Sequence, residues 1–85
     1  MKNIDEEKKK QALGAMLRQE RKKSGKSLSE VSNEFGHYKS WLSDIENGRN
    51  NFSAVTMMTL LDYYHADTSE FTIKAINKIK ELSDE

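Results

Sequence analysis

The chain reads as an all-α fold of five helices, on three observations. There is no proline among its 85 residues, so no helix need be interrupted by a missing amide donor. Its periodic stretches are rich in Lys, Glu, Leu, Met and Ala, residues that lose little on entering a helix. Glycines stand at 25, 36 and 48, each just past a stretch of helical period, where a left-handed residue commonly closes a helix. The length allows one domain, residues 1–85, with a core modest enough to gain from a partner subunit.

The first helix is expected from about residue 6 to 24, with Leu13, Met16 and Leu17 on its apolar side and Gly25 as its stop. Gly14 lies inside it, so the helix either frays there or meets a neighbouring backbone at close range. The second starts at Ser27, where Glu30 three residues on completes a capping-box pattern. Leu28, Val31 and Phe35 then recur at helical spacing up to Gly36. The third runs from about 38 to 47 and ends before Gly48. The turn around His37 is so short that the second and third helices must cross steeply, leaving the third to protrude. The fourth, about 53 to 65, shows Ala54, Met57, Met58, Leu61 and Tyr64 as its inner face, with the Met57–Met58 pair in the core. Asp67 and Glu70 have the spacing of a second capping box, opening a fifth helix that runs to about 83.

The formal net charge is zero, but the charge is not evenly spread. Residues 1–26 hold nine Lys/Arg and four Asp/Glu, residues 27–52 two and four, and residues 53–85 three and six. A molecule polarised in this way can set its basic end on phosphates although its total charge is zero. The absence of cysteine excludes disulfides and thiolate metal sites and fits a reducing compartment. No apolar run approaches a membrane span and the charged start is not that of a signal peptide, so a cytoplasmic protein is expected. His37 and His65 lie in different turns without a partner at ligand spacing, and no acid, base and nucleophile converge; no metal, cofactor or enzymatic activity is expected.

The third helix is the most informative element. At about 100° per residue, Leu42 and Ile45 define its buried direction. Ser40, Ser43, Asp44 and Asn47 collect on the opposite face, Lys39 and Trp41 on the shoulders, and Glu46 toward the interior. A helix built only for solubility would carry long Lys and Glu pairs. Short hydroxyls let a backbone sink into a groove and meet either donors or acceptors on base edges, although an ordinary polar face accounts for them equally well. Trp41 fits a half-buried shoulder; stacking on a sugar or a thymine methyl is the alternative. In the fifth helix Phe71, Ala75, Ile79 and Leu82 form one stripe, which Ile76 and Ile73 widen beyond what one small core can cover.

Residues 13 to about 71 resemble the XRE-type helix-turn-helix family of phage repressors and Cro-like proteins. The resemblance rests on Leu13-Gly14, on Arg18 and Arg21 ahead of Gly25 and Ser27, and on Leu42-Ser43-x-Ile45-Glu46-Asn47-Gly48-Arg49. The Ser27-Leu28-Ser29-Glu30 and Lys39-Ser40-Trp41-Leu42-Ser43 phrases are similar to the SinR-type repressors of Gram-positive bacteria. The resemblance implies a lambda-repressor-like domain with the helix-turn-helix at helices 2 and 3. It makes helix 3 the recognition helix, with Lys39, Ser40 and Asp44 at base-touching positions and Ser43 beside them. It puts Asn47, Arg49 and Asn50 in or beside the loop that grips phosphate, and it makes Arg21 and Glu46 a buried ion pair. Arg18 and the Tyr38 hydroxyl are further candidates for phosphate contact. The chain departs from the family at Leu28 (usually Gln), Tyr38 (usually a small cap), Phe52 (usually Pro) and His65 (usually Gly).

The expected function is sequence-specific DNA-binding regulation, most simply repression at a palindromic operator by a homodimer. Residues 68–83 would be the dimerisation helix, through Phe71, Ile73, Ile76 and Ile79. The expected partners are double-stranded DNA, a second copy and a further protein such as a toxin or anti-repressor; no small-molecule ligand is evident. Two alternatives are an antitoxin or restriction–modification controller on the same fold, and a protein-interaction module that does not bind DNA.

Overall fold

The computed structural model describes residues 2–83. Its five helices are α1 (Lys2–Lys23), α2 (Leu28–Glu34), α3 (Lys39–Glu46), α4 (Ala54–Tyr63) and α5 (Thr68–Ser83). The all-α, five-helix architecture is the one the sequence pattern predicts.

The caps explain why the elements begin where they do. Ser27 Oγ accepts from the Glu30 amide at 3.1 Å, and Glu30 Oε1 accepts from the Ser27 amide at 2.8 Å. That backbone bond holds the Glu30 carboxyl below its ordinary pKa. Ser53 Oγ caps α4 by accepting from the Thr56 amide at 3.1 Å. At α5 only half of the expected box is present. Asp67 Oδ1 accepts from the Glu70 amide at 3.0 Å, while the Glu70 carboxylate lies 3.8 Å from Lys74 Nζ. On an open surface, a lysine one turn on competes with the backbone for that carboxylate. α1 begins at Lys2, about four residues earlier than the pattern suggested.

The core is formed by Leu17, Val31, Leu42, Ile45, Leu60, Leu61, Tyr64, Phe71 and Ala75. α1 packs against α3, α4 and α5, and α2 packs against α3. The inner face expected for α4 needs correction. Ala54 is exposed and Met58 is 62 % exposed, whereas Leu60, Leu61 and Tyr64 are buried and Met57 packs against the core. The true stripe is rotated by about 45° from the expected one. Both sides of α4 are apolar, so its pattern did not choose between them; the positions of α1 and α5 did.

Gly14 is buried inside an unbroken α1, and the reason is a backbone contact. A Cβ there would stand 2.4 Å from the Ile45 carbonyl oxygen and 2.6 Å from that of Glu46. Only glycine lets α1 approach the end of α3 so closely. His65 occupies the position that ends α4 and is left-handed at φ 58. This conformation usually selects glycine, because a Cβ crowds the following carbonyl.

Candidate nucleic-acid interface

α3 is fixed at both ends, so its outer face has one orientation. At the C-terminal end, Arg21 Nε donates to Glu46 Oε2 at 2.7 Å and its second terminal nitrogen donates to Glu46 Oε1 at 3.1 Å. The remaining terminal nitrogen donates to the Lys26 carbonyl at 2.9 Å. The two side chains are 9 % and 4 % exposed. One guanidinium therefore ties α1, the α1–α2 turn and α3 together, in the bidentate geometry that suits arginine. The Glu46 hydrogen bond raises the Arg21 pKa against the cost of burial. Beneath this pair Tyr64 is buried, and burial followed by the nearby Glu46 charge pushes its phenol pKa up.

At the N-terminal end the brace is aromatic. The Trp41 ring stacks on His37 at 4.1 Å between centroids and 11° between planes. Its other neighbour is Phe35 at 5.8 Å, and Phe35 meets Tyr63 edge-on at 5.5 Å. Lys26 Nζ lies 5.2 Å from the Tyr63 ring centre, at cation–π range. Trp41 is half-buried, and the row clamps the turn between α2 and α3. His37 was not among the residues the sequence marked for a role. Its spacing of four from Trp41 is the signal that could have found it, since residues so spaced meet on one side of a turn.

Outward from these anchors lie the sequence-predicted contact residues. Tyr38 is 88 % exposed and precedes α3 without capping it through its side chain. Lys39 and Ser40 are exposed in the first turn. One turn on, Ser43 and Asp44 are partly covered by their own neighbours. The Asn47 side-chain Nδ2 donates to the Ser43 carbonyl at 2.8 Å and lies 3.4 Å from the Ser43 hydroxyl. Arg49 Nη1 stands 3.4 Å from Asp44 Oδ1, and the Arg49 amide donates to the Asp44 carbonyl at 2.8 Å. The face is therefore graded. Its start presents Lys39 and Ser40 openly, and its end presents an Asp44–Arg49 pair with Asn47 folded onto Ser43. Asn50 is exposed in the following loop. Arg18 is exposed on α1, seven residues on from Gln11, which abuts Gly48; it thus shares the side of α1 that meets the end of α3.

The four α5 residues separate into two pairs. Phe71 is buried in the chain's own core and Ile79 is half-buried. Ile73 and Ile76 are 62 % and 48 % exposed, so they are the ones on the surface. A polar cleft between the end of α1 and the α4–α5 turn, lined by Glu20, Lys23, Glu70 and Lys74, holds its charges in local pairs. Among the described residues no cluster of His, Cys, Asp or Glu is arranged to hold a metal ion, and no helix is long and apolar enough to cross a membrane.

A helix-turn-helix domain family matches residues 12–72, a stretch that includes all of α2, α3 and α4. No curated protein and no solved structure matches the chain.

Proposed function

Since the chain belongs to a helix-turn-helix domain family of the XRE-like group, we propose that it is a sequence-specific DNA-binding regulator of SinR-like type that represses at a palindromic operator. The observation that carries this reading is the face of α3. It is short-chained, polar and outward, on a helix held rigidly by the Arg21–Glu46 pair and by the Trp41 stack. Rigidity matters because base discrimination depends on donors and acceptors being placed before the duplex arrives. In this reading Lys39 and Ser40 meet base edges first. Arg49, Asn50, Arg18 and the Tyr38 hydroxyl meet phosphates. Asp44 accepts from a cytosine amino group or steadies Arg49.

A two-fold pair of α5 helices, seamed by Ile73 and Ile76, would set two recognition helices about 34 Å apart, one turn of duplex. The exposure of both isoleucines supports this seam. The zero net charge and the Asp44–Arg49 pairing favour a second reading, a module that binds protein rather than DNA. An antitoxin or restriction–modification controller would use the same surface, and the neighbouring genes separate those subclasses.

The test is selection of duplexes from a random pool by the wild-type protein, followed by titrations across salt. The first reading expects a selected palindrome. Lys39→Ala should relax one base position by about 1–3 kcal/mol. Arg49→Ala should weaken all sequences alike and make the salt slope shallower by about 0.9 for each copy bound. If the wild-type protein selects nothing, and what it binds is insensitive to salt, the DNA reading fails and the protein-binding one takes its place.

A further inference from the structure

The family match begins at residue 12, yet α1 begins at Lys2. The start of this helix therefore lies outside the matched unit, and its Glu7–Gln11 stretch lies beside the loop after α3. The α1 backbone lies directly against the loop after α3: a Cβ on Gly48 would stand 2.7 Å from Gln11 Cα. Gly48 is left-handed at φ 73, so both its conformation and its surroundings require the missing side chain. One residue before Gln11, Lys10 Nζ donates to Asn51 Oδ1 at 3.0 Å. An open cleft of about 480 Å³ is left where the two segments meet, lined by Glu7, Lys10, Gln11, Asn47, Gly48 and Arg49.

The cleft offers an anion two cations, Lys10 and Arg49, against one carboxylate in its lining, Glu7, and a second, Asp44, that stands 3.4 Å from Arg49 Nη1. An ammonium carries three donors, of which Asn51 takes one, and a guanidinium carries five. The cleft adjoins the C-terminal end of α3. When a recognition helix enters a major groove, the flanking backbones run past its ends and bring phosphates to them.

Building on the DNA-binding reading above, we propose that the N-terminal extension of α1 is a second clamp on the duplex, with Lys10 and Arg49 each gripping one of two neighbouring backbone phosphates from the two sides of this cleft. Asn51 then holds the Lys10 ammonium in place before DNA arrives, which lowers the ordering cost of a flexible side chain on binding. Glu7 restrains the grip and favours release.

The probe is the duplex that the wild-type protein selects, labelled and titrated between about 50 and 200 mM salt. Lys10→Ala should make the slope shallower by about 0.9 for each copy bound, so that its deficit shrinks about 3.5-fold over that range for one copy. Lys10→Arg should keep the slope. Asn51→Ala breaks the same hydrogen bond without removing charge and should leave the slope unchanged. Glu7→Gln should tighten binding. Thermal melts of each variant check that the fold is retained. Equal effects of Lys10→Ala and Asn51→Ala, with no change of slope in either, would make Lys10 a structural tie and overturn the proposal. A slope that responds to Arg49→Ala but not to Lys10→Ala also overturns it, while the DNA-binding reading stands. A wild-type protein that binds no duplex removes both.

Discussion

Gly14→Ala is the substitution on which local and tertiary reasoning disagree in sign. In an isolated helix alanine is better than glycine by about 0.8–1.0 kcal/mol, so the change should stabilise α1. In the fold, the new Cβ would stand 2.4 Å from the Ile45 oxygen, 2.6 Å from the Glu46 oxygen and 2.8 Å from the Glu46 carbonyl carbon. All three are backbone atoms, so no side chain can swing aside. Even a close C···O contact needs about 3.3 Å, and the end of α3 would have to retreat by about 1 Å. Retreat opens space beside Leu17, Leu42 and Ile45, none more than 1 % exposed, and strains the Arg21–Glu46 hydrogen bonds. Overpacking of this kind costs about 1–3 kcal/mol. Because the obstruction is rigid, the upper part of that range applies. After the propensity gain, a net loss of about 2 kcal/mol remains. For a domain of this size it lowers the midpoint by about 8–16 °C. The assay is a circular dichroism melt beside Ala15→Gly, which puts glycine at an exposed neighbouring position and should lose only about 1 kcal/mol. A Gly14→Ala protein that melts at or above the wild-type temperature refutes the packing argument.

Other outcomes follow from the same geometry. Arg21→Ala leaves the Glu46 carboxylate, 4 % exposed, without its partner; a loss of about 3–5 kcal/mol in urea unfolding is expected, and one below about 1 kcal/mol would mean that water already reaches the pair. His65→Gly relieves the left-handed residue at φ 58 and should raise stability by about 0.5–1 kcal/mol after glycine's own entropy cost, so a lower melting point counts against strain there. Ile76→Asp puts a charge on the exposed α5 stripe and should yield folded monomers by analytical ultracentrifugation. A wild-type protein already monomeric at high concentration rejects the α5 seam.

Much of the fold was legible because its signals are local. The Ser27–Glu30 box, the glycines after α1, α2 and α3, and the Leu42–Ile45 stripe each depend on residues a few positions apart, and short-range sterics and hydrogen bonding settle them. The outward side of α3 followed from its period alone, as did the half-burial of Trp41. The Arg21–Glu46 partnership spans 25 residues and came from family resemblance; its bidentate geometry belongs to the fold. Tertiary structure decided whatever depended on which neighbour arrives. α4 has two apolar sides, and only its packing against α1 and α5 buried Leu60 in place of Met58. The two readings of Gly14 were equal in sequence, and the Ile45 and Glu46 carbonyls chose between them. Lys10 looked like one lysine among several until the fold brought it to Asn51, 41 positions away. No period or motif reports such a meeting, because it is set by how α1 lies against the loop after α3 rather than by the chain near either residue.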